Sequence, residues 1–185
     1  MVDVYYSKEF SDGFKEQLTS ELQKRFDGCK RILVKTHFGE PGNKYSFTPR
    51  DIKPVTDILH ELGFEVTLYD SSVTYGGKRS DPETHKQYAE EKGFGKLANI
   101  ETDDTNVTSH KGEYMEYEIP SVLENADGVI VLSHLKGHIC SGFGGAIKNL
   151  GMGGLSKKSK GDIHEGGKPV IGDGCIQCKA CEYVC

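Results

Sequence analysis

No apolar run in this 185-residue sequence reaches the ~18 residues that a membrane-spanning helix requires, so no spanning segment is expected. Nor does the start, MVDVYYSKEF, join a cationic stretch to an apolar one as a secretory leader does. Positive charge does not accumulate either. Lys and Arg number 23 against 28 Asp and Glu, interleaved, for a net charge of −5, which argues against the basic face of a nucleic-acid-binding protein. A secreted disulfide framework is also missing: of six cysteines, four crowd the last 11 residues, while Cys29 and Cys140 stand far apart. These absences predict a cytoplasmic protein in a reducing compartment, with neither membrane nor nucleic acid as partner. The length leaves no room for a second full-sized domain beside one of ~100–200 residues, and no internal repeat is visible.

What is present alternates strand and helix. In residues 11–26, Phe14, Leu18, Leu22 and Phe26 recur every four positions, which places one apolar stripe along a helix ending near Gly28. RILVK (31–35) reads as a short buried strand. Asp51 opens a second helix whose Ile52, Val55, Ile58, Leu59 and Leu62 share a face and whose stop is Gly63. FEVTLYD follows as a strand. Residues 71–117 lose the periodicity apart from a helix at 82–92 and read as a loop-rich insertion. Thereafter IPSVLENAD reads as a short helix, GVIVLSH as the most apolar strand, 145–150 as a helix and KPVIGD (168–173) as a last strand. Such alternation predicts an α/β fold, a mostly parallel sheet with helices on both faces, because parallel strands need crossover connections. Sites in these sheets lie at the carboxyl ends of strands. That rule selects THFGEPGNKYSFTP after the first strand and SHLKGHICSGFGGAIKNLGMGG after the apolar one.

The tail GDGCIQCKACEYVC spaces Cys175, Cys178, Cys181 and Cys185 as C-x2-C-x2-C-x3-C. Several thiolates on one tight turn can grip the corners of an iron–sulfur cube, whereas a zinc ribbon needs two separated pairs. A ferredoxin-type 4Fe–4S cluster is the leading reading, with zinc and uncombined thiols as alternatives. We divide the chain accordingly into an α/β domain (1–172) and the start of an iron–sulfur module (173–185). In the ferredoxin pattern a proline follows the fourth cysteine, which ligates a second cluster when there are two. Neither that proline nor a second quartet is here. The expectation is therefore a truncated module in which Cys175, Cys178 and Cys181 share one cluster, Cys185 reaches toward another, and the cluster can be absent from this chain.

In the glycine-rich loop, Gly142, Gly144 and Gly145 precede a helix starting at Ala146. Glycine lets backbone approach a ligand, and N–H groups at a helix start favour an anion. The spacing matches neither the dinucleotide fingerprint nor the P-loop, so a simple strand-to-helix connection is the competing reading. Around it stand His134, Lys136, His138 and Lys148, titratable groups gathered at a strand end. His138 is the candidate acid or base and Lys148 the candidate neutraliser of an oxyanion. Loops carry His37 and His164 toward the same place. His60 and His85 are expected on helix surfaces, and His110 has no evident partner. SKKSKGD (156–162) reads as a solvated loop, with a phosphate patch as its alternative. Cys140, between His138 and Ser141, is a conceivable nucleophile, and Cys29 an inert thiol.

Taken together, VKTHFGEPGN, SHLKGHICSGFGGAIKNLGMGGLSKKSKGDIH and the cysteine tail resemble the domain of unknown function 362 family of bacteria and archaea, often fused to a ferredoxin-type 4Fe–4S module. The resemblance implies an α/β domain followed by two iron–sulfur motifs, of which this chain carries the first; no established reaction comes with it. More distantly, the order of His138, GFGG and Lys148 is similar to that in the nickel-pincer lactate racemases. That likeness implies proton transfer at His138 and a carboxylate or cofactor at Lys148. The serine of the racemase loop is missing from GFGG, so no nickel is expected.

Three functions compete. One is an iron–sulfur electron carrier working with a redox partner protein. Another is an enzyme acting on a small anionic substrate, a carboxylate or phosphate, with His138 and Lys148 in the site. The third is a regulatory or scaffold module braced by the cluster.

Overall fold

The computed structural model describes residues 3–138, 142–167 and 171–180. Helix α1 (Asp12–Arg25) starts where Ser11 Oγ accepts the Phe14 N–H at 3.4 Å, and β1 (Arg31–Lys35) follows. The capping acid of α2 (Pro49–Glu61) is Asp51, whose carboxylate accepts the Thr48 N–H at 2.7 Å. After β2 (Glu65–Tyr69) come α3 (Pro82–Glu91), β3 (Asn99–Glu101), β4 (Val107–Lys111) and β5 (Glu116–Pro120). The rest is α4 (Ser121–Glu124), β6 (Gly128–Val131), β7 (Lys136–His138), β8 (Gly142–Gly144), α5 (Ala146–Gly151) and α6 (Lys157–Gly166).

A four-stranded parallel sheet in the order β3-β2-β1-β6 confirms the α/β class. Four consecutive residues of β1, Ile32 to Lys35, are buried, and since successive side chains point to opposite faces, both faces of the sheet are covered. Ile32 and Val34 stand level with Val66 and Leu68 and pack with Leu22 of α1 and Ile52, Ile58 and Leu59 of α2. On the other face, Lys35 and Tyr69 reach the segment at α5: Lys35 Nζ donates to Asn149 Oδ1 at 2.8 Å and Tyr69 Oη to Gly154 O at 3.2 Å. Gly128 has no side chain because a Cβ there would lie 2.5 Å from the Phe26 ring.

Several sequence expectations need correction. The stretch 71–117 is not merely loops: Asn99–Glu101 is an edge strand of the main sheet, and β4 and β5 pair antiparallel. SKKSKGD is no solvated loop, because Ser156 caps α6 by accepting the Ser159 N–H at 3.1 Å and Ser159 and Lys160 are buried. His164 accordingly sits on a helix. His85 is fully buried instead of surface-exposed, and His110 has a partner, Glu124, at 2.8 Å. Residues 171–173 form no strand; 168–170 lie outside the described residues. No described helix is long and apolar enough to cross a membrane.

Candidate functional site

The strand order reverses at β1. The chain runs outward from β1 through β2 to β3, then returns to place β6 on β1's other side. Helix connections diverge at such a switch point, and a crevice opens beyond the carboxyl ends of the two strands. Here a cavity of about 510 Å³ takes His37 from beyond β1, Ser71 from beyond β2, and Leu132, Ser133 and His134 from beyond β6. The segments after β6 complete it with Lys136, His138, Gly144, Gly145, Lys148, Asn149, Lys160 and His164.

Its charge is one-sided. Arg79, Lys136, Lys148 and Lys160 line the cavity together with four histidines, and among the described residues no Asp or Glu lines it. In a chain of net charge −5 this gathering of cations is a local property of the fold, and it favours an anion.

Behind the lining lies a buried carboxylate that holds the walls together. Asp70, 2% exposed at the end of β2, accepts from Lys35 Nζ at 3.1 Å, Arg79 Nη2 at 2.8 Å and the Phe38 N–H at 3.2 Å. Burial would raise its carboxyl, but the charges of Lys35 and Arg79 outweigh that and hold it well below the usual carboxylate range. The guanidinium of Arg79 also donates from Nε to His85 Nε2 at 3.1 Å and from Nη1 to Glu40. Because arginine only donates, His85 Nε2 is the acceptor in that bond. Arg79 thus ties the loop after β2 to the loop after β1. Glu40 accepts from Tyr75 as well, which closes the same corner.

Both ring nitrogens of His37 face donors, the Gly39 N–H at 3.0 Å on Nδ1 and Arg79 Nη1 at 3.2 Å beside Nε2. Burial, with Arg79 and Lys35 adding to it against the pull of Asp70, lowers this imidazole to about 4. It is neutral at pH 7. His134 is lowered by burial and by Lys136; His138 is lowered by burial and by Lys148, Lys136 and His164. A lowered proton affinity keeps an imidazole unprotonated over more of the neutral range, the form that can take a proton from a bound acid. Asn149 is clamped, its amide donating to Leu132 O and Ser133 Oγ, both at 2.9 Å, while its carbonyl accepts Lys35.

The structure therefore brings His37, His134, His138, His164, Gly144, Gly145 and Lys148 to one cavity. Gly142, with φ +74°, and Ala146, at the start of the six-residue α5, are not among its lining residues. Sequence reasoning missed Arg79 and reached Lys160 only within SKKSKGD, as the alternative phosphate patch. Arg79 lay in a stretch without periodicity; for Lys160, the Ser156-x-x-Ser159 start was a usable capping signal. Cys140 lies outside the described residues.

Cys175 and Cys178 are exposed free thiols, and Cys181 and Cys185 lie outside the described residues. Gln177 and Lys179, which flank Cys178, take left-handed φ values of 56° and 61°. Residues 175–179 carry no turn or helix, so the thiol spacing alone is what fits such a cluster. Among the described residues, no group of three His, Cys, Asp or Glu could hold a metal ion.

Sheet order, switch-point cavity and cationic lining define a parallel α/β domain built around one crevice. The sequence matches the family "Domain of unknown function (DUF362)" over residues 32–183, and the chain belongs to that family. No curated protein matches it by sequence.

Proposed function

We propose that this chain binds a small anion, a carboxylate or phosphate, in the switch-point cavity, and that its C-terminal thiols hold a 4Fe–4S cluster serving electron transfer. The observation that carries the first part is the lining of four cations and four imidazoles without one carboxylate among the described residues. Lys136 and Lys148 neutralise the anion. The Asp70 network beneath keeps the walls in place without placing negative charge on the lining. His138 exchanges a proton with the bound molecule, a role suited to an imidazole whose proton affinity is reduced by burial and by neighbouring lysines. Support for the second part comes from the four-cysteine spacing. When bound, such a cluster supplies single-electron transfer. The small anion and a redox partner protein are the expected partners.

Amine-selective modification of the whole chain, mapped by peptide, tests the anion site. Malonate or phosphate should slow labelling of Lys148 and leave the exposed Lys53 unaffected. Equal rates at Lys148 across a panel of small carboxylates and phosphate would contradict the reading. For the cluster, anaerobic iron and sulfide incorporation should be lost when Cys175 and Cys178 are both replaced by serine; retention in that variant would remove the thiols from the account.

A further inference from the structure

The two buried lysines at the sheet's carboxyl edge are held differently. Lys35 Nζ has three acceptors, Thr36 O at 2.6 Å, Asp70 Oδ1 at 3.1 Å and Asn149 Oδ1 at 2.8 Å, one for each N–H of an ammonium. It does not line the cavity. Lys160 does, although it is 7% exposed, and its Nζ meets two acceptors, Ser71 Oγ and Ser72 O, the latter at 2.6 Å.

Ser71 gives its own hydroxyl proton to Gly153 O at 2.6 Å, so toward Lys160 it only accepts. Two acceptors satisfy both N–H groups of a neutral amine and leave its lone pair at the remaining tetrahedral position. An ammonium in the same seat has one N–H left over. Among the described residues, no carboxylate lies within ion-pair distance of Lys160. Burial moves the amine down to about 8, with Lys35 and Arg79 assisting and Asp70 and Asp104 opposing. A desolvated lysine beside other cations is the usual setting of a nucleophilic amine. Ser159, the residue before it, accepts the Glu118 N–H at 2.8 Å and ties α6 to β5.

We infer that Lys160 forms an imine with a small oxo acid whose anionic end is held by the other lysines of the cavity, an inference that rests on the anion-binding reading above. The Nζ lone pair attacks the carbonyl carbon, a C–N bond forms, and the carbonyl oxygen leaves as water with the two amine hydrogens. Nothing is oxidised or reduced, so no co-reactant is required.

The unaltered chain is incubated with pyruvate or glyoxylate and cyanoborohydride, digested, and mapped by mass spectrometry. The expected result is a reduced adduct on Lys160, formed faster than on the exposed Lys53 and suppressed by excess lactate, which has the anionic group without the ketone. Lys160→Arg should lack that adduct, but the peptide map of the unaltered chain decides the matter even if the variant does not fold. Labelling of Lys160 no faster than Lys53 overturns the inference. Calorimetric titration with lactate separates the two failures: saturable binding without a Lys160 adduct overturns only the imine, and absence of both overturns the anion site as well.

Discussion

Replacing Asp70 with asparagine tests whether the site's walls depend on one buried charge. The substitution keeps the shape but sets an amide NH2 against either Lys35 or Arg79, 0% and 2% exposed, and removes the charge both share. Stripping one partner from a buried ion pair costs ~3–5 kcal/mol because the remaining charge stays desolvated. Glu40, still paired with Arg79, offsets part of that on the arginine side, but Lys35 has no second carboxylate within ion-pair distance among the described residues. For a chain of this size ~1 kcal/mol moves Tm by roughly 2–4 °C, so Asp70→Asn should melt ~6–20 °C lower. Calorimetric melting at pH 7, supported by urea titration, is the assay. The pH dependence adds a second reading. A carboxyl held low in the folded state stabilises fully above the unfolded value of ~3.9, and that contribution is lost as pH falls below it. The variant should lack this loss. Stability within ~1 kcal/mol of the parent would refute the reasoning, since the cations would then be satisfied without Asp70.

Other consequences are open to measurement. His37, lowered to about 4 from 6.5, takes up its proton later when folded than when unfolded, so stability should fall by about 3 kcal/mol as pH drops from 6.5 to 4. Denaturant titration of His37→Gln over that window should show a flatter profile. Gly153→Ala would set a Cβ 2.5 Å from the Asn149 carbonyl oxygen, a backbone atom that cannot swing aside. A loss of ~1–3 kcal/mol is expected by chemical denaturation. Lys148→Ala should weaken binding of a small anion by ~1–2 kcal/mol, about 5- to 30-fold, read by calorimetry with the fold checked by circular dichroism.

The parts of the fold that could be read in advance were those with an apolar period. RILVK and EVTLY are β1 and β2, and the stripe of α2 packs against them as Ile52, Ile58 and Leu59. Elements whose burial is polar gave no such signal. Helix α6 buries Ser159 and Lys160 in place of an aliphatic stripe, and three-residue β3 is too short to show alternation. His85 illustrates the same limit. On a helix of mostly polar residues it looks like surface, yet it is buried through a hydrogen bond from Arg79 and an edge contact with Phe38 at 5.6 Å. The strand-end rule did find the cavity, because chain order alone places the segments after β1 and β6 at one edge of a parallel sheet. It could not find the carboxylate beneath, since Asp70 and its cations come from separate segments that only the fold unites.

Calorimetric titration of the purified chain with malonate and with phosphate, at low and moderate salt, puts the anion site to its most direct test. The account predicts saturable binding of one anion per chain, weakened by salt and strongly reduced in the double variant Lys136→Ala, Lys148→Ala. No saturable binding by either anion, or undiminished affinity in the double variant, would contradict it.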